Sequence, residues 1–355
     1  MRTYYAVLVL AAVAAFLATP LVRRLAFRWG AIDLPSVRKV HTEPMPRLGG
    51  LAVFAGFWVP WIGLYLVTNR VTEILRTYDK LSLCLALGGS AMLLLGIYDD
   101  IKEASARLKF GVQIAVAVGL YSGGFQITKV SNPFGQALEL HWLALPMTVL
   151  WIVGITNAIN LLDGIDGLAT GVTACIALSL ALINVIYGNI LVALLTLCLA
   201  GACLGFLPYN FSPARIFLGD SGSLFLGLML ACIGTVSLFK AATATFIAVP
   251  LILFGLPLFD TTSVVLGRLS RRQPVFVADK THVHHQLLRL GLNQPQAAYF
   301  LYGITLLLGA LATFLSLQQS PRALLLGGAL VLALASVIWA AWKRRLRNHA
   351  PRDEA

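Results

Sequence analysis

The sequence predicts an all-α polytopic membrane protein of about eleven transmembrane helices. Three observations carry this expectation. Of the 355 residues, 58% are hydrophobic and only 12% are charged, too little charge for a soluble domain of this size. Apolar runs recur along the whole chain, and a bilayer core needs about 20 such residues per helix. Lysine and arginine also segregate between alternate connections.

The spans fall at roughly 3–22, 48–68, 81–98, 109–122, 143–159, 167–187, 190–208, 221–238, 244–267, 297–316 and 323–342. The fourth is short. The ninth carries Pro250 and Pro257 and is expected to kink. Connections after odd-numbered spans, with the C-terminal tail, hold 20 of the 27 Lys and Arg residues. By the positive-inside rule those loops and the C-terminus are cytoplasmic, and the N-terminus lies outside. The first span follows only Met-Arg-Thr-Tyr-Tyr and has no small-residue cleavage site, so it reads as a retained helix. The outer loop after the fourth span has two β-leaning segments around Asn132-Pro133-Phe134-Gly135, which predicts a small extracytoplasmic β-hairpin. The whole reads as one integral membrane domain, 1–342, with a basic cytoplasmic tail at 343–355. Five cysteines lie inside apolar spans without metal-ligand spacing and read as packing residues. The net charge of +12 belongs to one face and suits anionic headgroups and substrates. Short loops between spans argue against nucleic acid as a partner.

Ionisable residues at a membrane are costly and tend to be functional. Here Asp99, Asp100, Asp163, Asp166 and Asp220 all fall at cytoplasmic span ends, as do His41, His282, His284 and His285. Asp99 and Asp100 end the third span, where the helix dipole already places negative charge. In Asn160-Leu-Leu-Asp163-Gly-Ile-Asp166-Gly, two acids three residues apart share one side of any helical turn. Glycines beside them allow close approach by a ligand. No Lys or Arg lies within that stretch, so the expected counter-charge is a cation and substrate, not a side chain. Asp166 alone also fits a cap on the sixth span, and Asp220 one on the eighth. Asn210 and Phe217, in a loop with proline and glycine, suit a nucleobase. His282, His284 and His285, with Arg271, Arg272, Lys280 and Arg289, suit an anion-binding patch better than zinc, which needs three or four converging ligands. His41 and Arg47 sit in a second cationic, proline-rich loop. Carboxylates beside cations on one face suit Mg²⁺-assisted phosphoryl transfer, because Mg²⁺ takes one or two carboxylates plus substrate phosphates. A cation- or proton-coupled transporter is the rival class. It needs acids at mid-bilayer, for which Asp260 is the main candidate.

From Asp33 to about Gly291 these motifs, in order, resemble the polyprenyl-phosphate N-acetylhexosamine-1-phosphate transferases, a family that includes the MraY-type peptidoglycan translocase. The resemblance implies eleven spans and a cytoplasmic active site in a bacterial inner membrane. It implies Asp99 and Asp100 acting at the polyprenyl phosphate, with Lys109 as the family's following lysine. Asn160, Asp163 and Asp166 would serve substrate binding and catalysis. Asp220, with Asp100, would hold Mg²⁺, for which Mn²⁺ can substitute. Asn210 and Phe217 would meet the nucleoside, and His282, His284 and His285 would form the family's histidine motif; His41, Arg47 and Arg271 are added as substrate-phosphate contacts from the cationic loops themselves. The segment reads His282-Val-His284-His285, not three consecutive histidines. That departure favours UDP-GlcNAc over UDP-MurNAc-pentapeptide as donor, with undecaprenyl phosphate as acceptor. A homodimer is compatible with the resemblance.

Overall fold

The computed structural model describes residues 2–35, 43–130, 138–238, 248–272 and 282–318. The predicted eleventh span, the basic tail and His41 lie outside the described residues. Within them the chain is a helical bundle with two small β-ladders. Helix α1 is Arg2–Trp29, α2 Gly49–Tyr65, α3 Arg70–Arg76, α4 Asp79–Lys102 and α5 Ala106–Gly123. Then come α6 Ala144–Leu162, α7 Leu168–Ile186, α8 Ile190–Asn210, α9 Gly219–Leu238, α10 Ala248–Leu253, α11 Gly255–Ser270, α12 Val283–Arg289 and α13 Gln294–Gln318. Seven of these helices are long and apolar enough to cross a membrane, or eight if α2 and α3, bent by 108°, form one broken span. The chain is thus a multi-pass helical membrane protein. The described helices cover the first ten predicted spans.

Local chemistry explains the breaks. Pro257 lacks the N–H that would bond the carbonyl of Leu253, and the predicted ninth span divides there, into α10 and α11. The side chain of Asn69 accepts from Val71 N at 2.9 Å and Thr72 N at 3.0 Å, so α3 starts afresh after the turn. Ser105 caps the short α5 by accepting from Leu108 N at 3.3 Å. The anticipated hairpin is present: β3 (Lys129–Val130) pairs antiparallel with β4 (Leu138–Glu139), and Lys129 bridges Glu139 at 2.7 Å. A second ladder, β1 (Ile32–Asp33) with β2 (Met45–Pro46), was not anticipated from the sequence.

Helices α8 and α9 are the most enclosed. Small residues let neighbours approach: a side chain on Gly201 or Gly205 of α8 would strike the backbone of α1 at Leu8 and Ala12. Several inward-facing threonines return their hydroxyls to their own helix, as Thr156 does to Ile152 O at 2.7 Å and Thr235 to Ala231 O at 2.8 Å, so those hydroxyls are not left unbonded in the apolar interior. Leu17, Leu21 and Leu307 remain exposed on the outside of the bundle, as a lipid-facing surface requires.

Candidate active site

The site forms where the ends of α4, α6 and α9 meet. Asp100, at the end of α4, reaches across to the first turn of α9. Its Oδ1 accepts from Asp220 N at 2.9 Å and its Oδ2 from Ser221 N at 3.0 Å. A carboxylate misplaced on its own helix end therefore satisfies the orphan amides and positive dipole end of another helix. Gly219 opens α9 at φ +72°, and a Cβ there would strike the Asp100 carboxylate. Gly96 of α4 and Gly50 of α2 pack so tightly on Ser221 and Gly222 that neither has room for a side chain.

Asp99 turns the other way. Its Oδ1 accepts from Ala104 N at 2.7 Å. Its Oδ2 meets Lys109 Nζ at 2.5 Å, and the same ammonium meets Asp220 Oδ2 at 2.6 Å. Lys109 is therefore a side-chain counter-charge shared by two of the five acids, Asp99 and Asp220, both outside the Asn160–Gly167 stretch for which a cation and substrate are expected. Asp163, at the C-cap of α6, forms no hydrogen bond through its carboxylate among the described residues. Burial, then the negative charges of Asp220, Asp100 and Asp166, push its carboxyl well above the ordinary range, and Arg47 opposes them. Asn160, on the last turn of α6, donates to Ser223 Oγ at 2.9 Å and so ties α6 to α9.

Asp166 does not cap α7. Gly167 stands at that position, at φ +76°, and Asp166 Oδ2 accepts from Ala214 N at 3.0 Å. It thereby anchors the loop between α8 and α9. Asn210 lies beneath that loop, with both ends of its amide engaged: Oδ1 accepts from Thr170 Oγ1 at 2.7 Å and Nδ2 donates to Ile216 O at 3.1 Å. Phe217 is half-buried, and its backbone joins the loop to the start of α2 through Pro46 O at 2.9 Å and Gly49 N at 3.0 Å. Arg47 pairs with Asp33 across the β1–β2 ladder. Arg271 is exposed at the end of α11.

The histidine segment joins the site through one ring. His284 is buried with both ring nitrogens unpartnered among the described residues. It lies flat against Gly164, where any Cβ would strike its Nε2. Burial and the neighbouring His285 push its pKa down to about 3, so the ring is neutral near pH 7. His282 stacks 9° from parallel with it, and His285 lies on its other side at 4.3 Å between ring centroids. Asp260 is not a free mid-bilayer acid. It accepts from Val283 N at 2.7 Å and faces His282 Nδ1 at 2.9 Å, which removes the main support for the transporter. Sequence reasoning missed Asp33, Ser223 and this use of Asp260; an acid inside an apolar run was the only signal, and it did not name its partner.

Residues 82–238 match the glycosyl transferase family 4 model. The chain is 42% identical over 285 residues to the Bacillus subtilis "Probable undecaprenyl-phosphate N-acetylglucosaminyl 1-phosphate transferase", covering 80% of this chain and 77% of that protein. It is 32% identical over 356 residues to the Mycobacterium tuberculosis decaprenyl-phosphate N-acetylglucosaminephosphotransferase, covering 92% and 87%. It is 31% identical over 287 residues to the phospho-N-acetylmuramoyl-pentapeptide-transferase of Moorella thermoacetica, covering 76% and 84%. With its acids, lysine and histidines gathered at one end of a helical membrane bundle, the chain belongs to the polyprenyl-phosphate N-acetylhexosamine-1-phosphate transferases of glycosyl transferase family 4.

Proposed function

We propose that the chain transfers GlcNAc-1-phosphate from UDP-GlcNAc to undecaprenyl phosphate, on the cytoplasmic face of a bacterial inner membrane. An oxygen of the lipid phosphate attacks the β-phosphorus of the donor. The bond from that phosphorus to the bridging oxygen breaks, giving undecaprenyl-pyrophosphoryl-GlcNAc and UMP. The observation that carries this reading is the convergence of Asp99 and Asp220 on one Lys109 ammonium, beside Asp163, whose carboxyl feels the charges of Asp220, Asp100, Asp166 and Arg47. Lys109 is placed to neutralise phosphate charge. Asp99 would orient the attacking phosphate through the Lys109 that it shares with Asp220, whereas Asp100 is tied to backbone amides of α9. His284, with both ring nitrogens buried and its Nε2 packed on Gly164, would meet a phosphate oxygen once the Asp163-Gly164 turn or the ring moves.

Among the described residues no three His, Cys, Asp or Glu side chains close around a metal. That donor set still fits Mg²⁺, which takes one or two carboxylates and completes its shell with water and substrate phosphates. Asp220 would hold it, with Asp99, which shares its Lys109 partner, as second carboxylate in place of the expected Asp100, whose oxygens accept the Asp220 and Ser221 amides. Bound there, Mg²⁺ would spread the negative charge that develops on the pyrophosphate.

The test is UMP release by purified protein with undecaprenyl phosphate, given UDP-GlcNAc or UDP-MurNAc-pentapeptide, with and without Mg²⁺. Mg²⁺-dependent release with UDP-GlcNAc alone is expected. Release only with the pentapeptide donor would keep the chemistry and overturn the sugar. A labelled phospho-aspartyl protein formed with donor alone would replace direct attack with a two-step route.

A further inference from the structure

Asp260 is buried in helix α11, 1% exposed, and the transfer chemistry above does not use it. A carboxylate at such a place is costly unless fully bonded. Here both oxygens are spent on one short segment, the His282-Val283 start of α12. The bond to Val283 N caps that helix from outside, where no side chain of its own does so. The contact to His282 Nδ1 does more. An ionised carboxylate only accepts, so Nδ1 must carry the proton and Nε2 is the nitrogen left over.

We propose that Asp260 is a positioning residue for the transfer reaction, locking His282 in the Nδ1–H tautomer and holding the histidine segment against the Asp163-Gly164 turn. The geometry passes from α11 through His282, whose ring stacks on His284 at 5.7 Å between centroids, to Gly164, against which His284 lies. Asp260 touches none of the acids at the α4–α9 junction, so it acts through the imidazoles. This inference rests on the proposed transferase reading for its kinetic consequence, but not for the tautomer itself.

Asp260→Asn tests it, because the amide keeps the shape and can still accept from Val283 N. Its Nδ2 now donates to His282 Nδ1, which forces the proton to Nε2. A wrong tautomer and a lost partner behind a working histidine typically cost about tenfold to a hundredfold or more. We expect kcat to fall by at least roughly tenfold, with KM for the donor changed much less. The same substitution in a His282→Gln background should add little, because the linkage is already broken. Ring-¹⁵N spectra of histidine-labelled wild-type protein, with His282 assigned by the loss of its signals in His282→Gln, should show Nδ1–H. Asp260→Asn should show Nε2–H. An Nε2–H signal for His282 in wild-type protein would overturn the proposal even if Asp260→Asn fails to fold. Undiminished loss in the His282→Gln background would overturn it as well. If wild-type protein releases no UMP from UDP-GlcNAc, the donor assignment fails while the ¹⁵N spectra still decide the tautomer.

Discussion

At the residue scale the site is a problem in charge balance. Five aspartates meet one lysine, and the geometry divides the acids by task. Asp100 and Asp166 accept backbone amides and build the scaffold, whereas Asp99 and Asp220 share Lys109. Asp220→Ala and Asp99→Ala should each lower UMP release by about 10²-fold or more, the scale for removing a preorganised charge from a transition state, with the protein still extracted in folded form. Undiminished activity of Asp220→Ala would remove that residue from the metal role. His284 contributes one part of the pH dependence of stability. Its pKa is pushed down to about 3 in the folded protein, against about 6.5 in an unfolded chain. Below about 6.5 the unfolded state therefore binds more protons, and stability falls as pH drops from there toward 3. In a melting series from pH 7.5 to 4.5, His284→Asn should therefore lose less stability on acidification, or gain more, than the wild-type protein; an equal change in both proteins would refute the assignment.

At the element scale the decisive joint is α4 against the start of α9. Asp100→Ala would leave two enclosed amides without partners, costing about 1–3 kcal/mol for each. It should lower the melting temperature and the activity together. Gly96→Ala tests the same joint by volume. Its new methyl would strike the Ser221 backbone, which cannot yield as a side chain can, so about 1–3 kcal/mol of overpacking is expected with loss of transfer. Gly111→Ala in α5 has open space around it and should be tolerated in the same assay. Equal tolerance of both substitutions would show that the α4–α9 contact is looser than described here.

At the scale of the whole molecule, the bundle separates two ends. Helix α5 runs from its Ser105 cap, beside the acids, to Gly124, shortly before the β3–β4 hairpin. Its 18 residues span roughly 27 Å at the usual rise, close to a bilayer core. With the site facing the cytoplasm, a thiol at Ser105→Cys should react with an impermeant reagent only in inverted vesicles. One at Lys129→Cys should react only in right-side-out cells, both in a Cys84→Ala background. Labelling of both from the same side would overturn the orientation.

Sequence by itself determined the class of molecule, because spanning a bilayer constrains composition and length directly: seven or eight of the predicted spans coincide with helices long and apolar enough to cross a membrane, and the break in the ninth was legible from its prolines, Pro250 and Pro257. It also determined which residue types gather at one face, since acids and histidines at span ends stand out against apolar neighbours. What it could not determine was pairing. Asp100 answers amides 120 and 121 positions away, Lys109 answers an acid 111 positions away, and Asp260 answers a histidine 22 positions away. Local spacing made Asp166 a cap for the next helix; tertiary structure gave it Ala214 instead, because the turn before α7 is closed by Gly167. Periodicity reports which face of a helix is apolar, but only the packed bundle decides which helix end an ionised group finally meets.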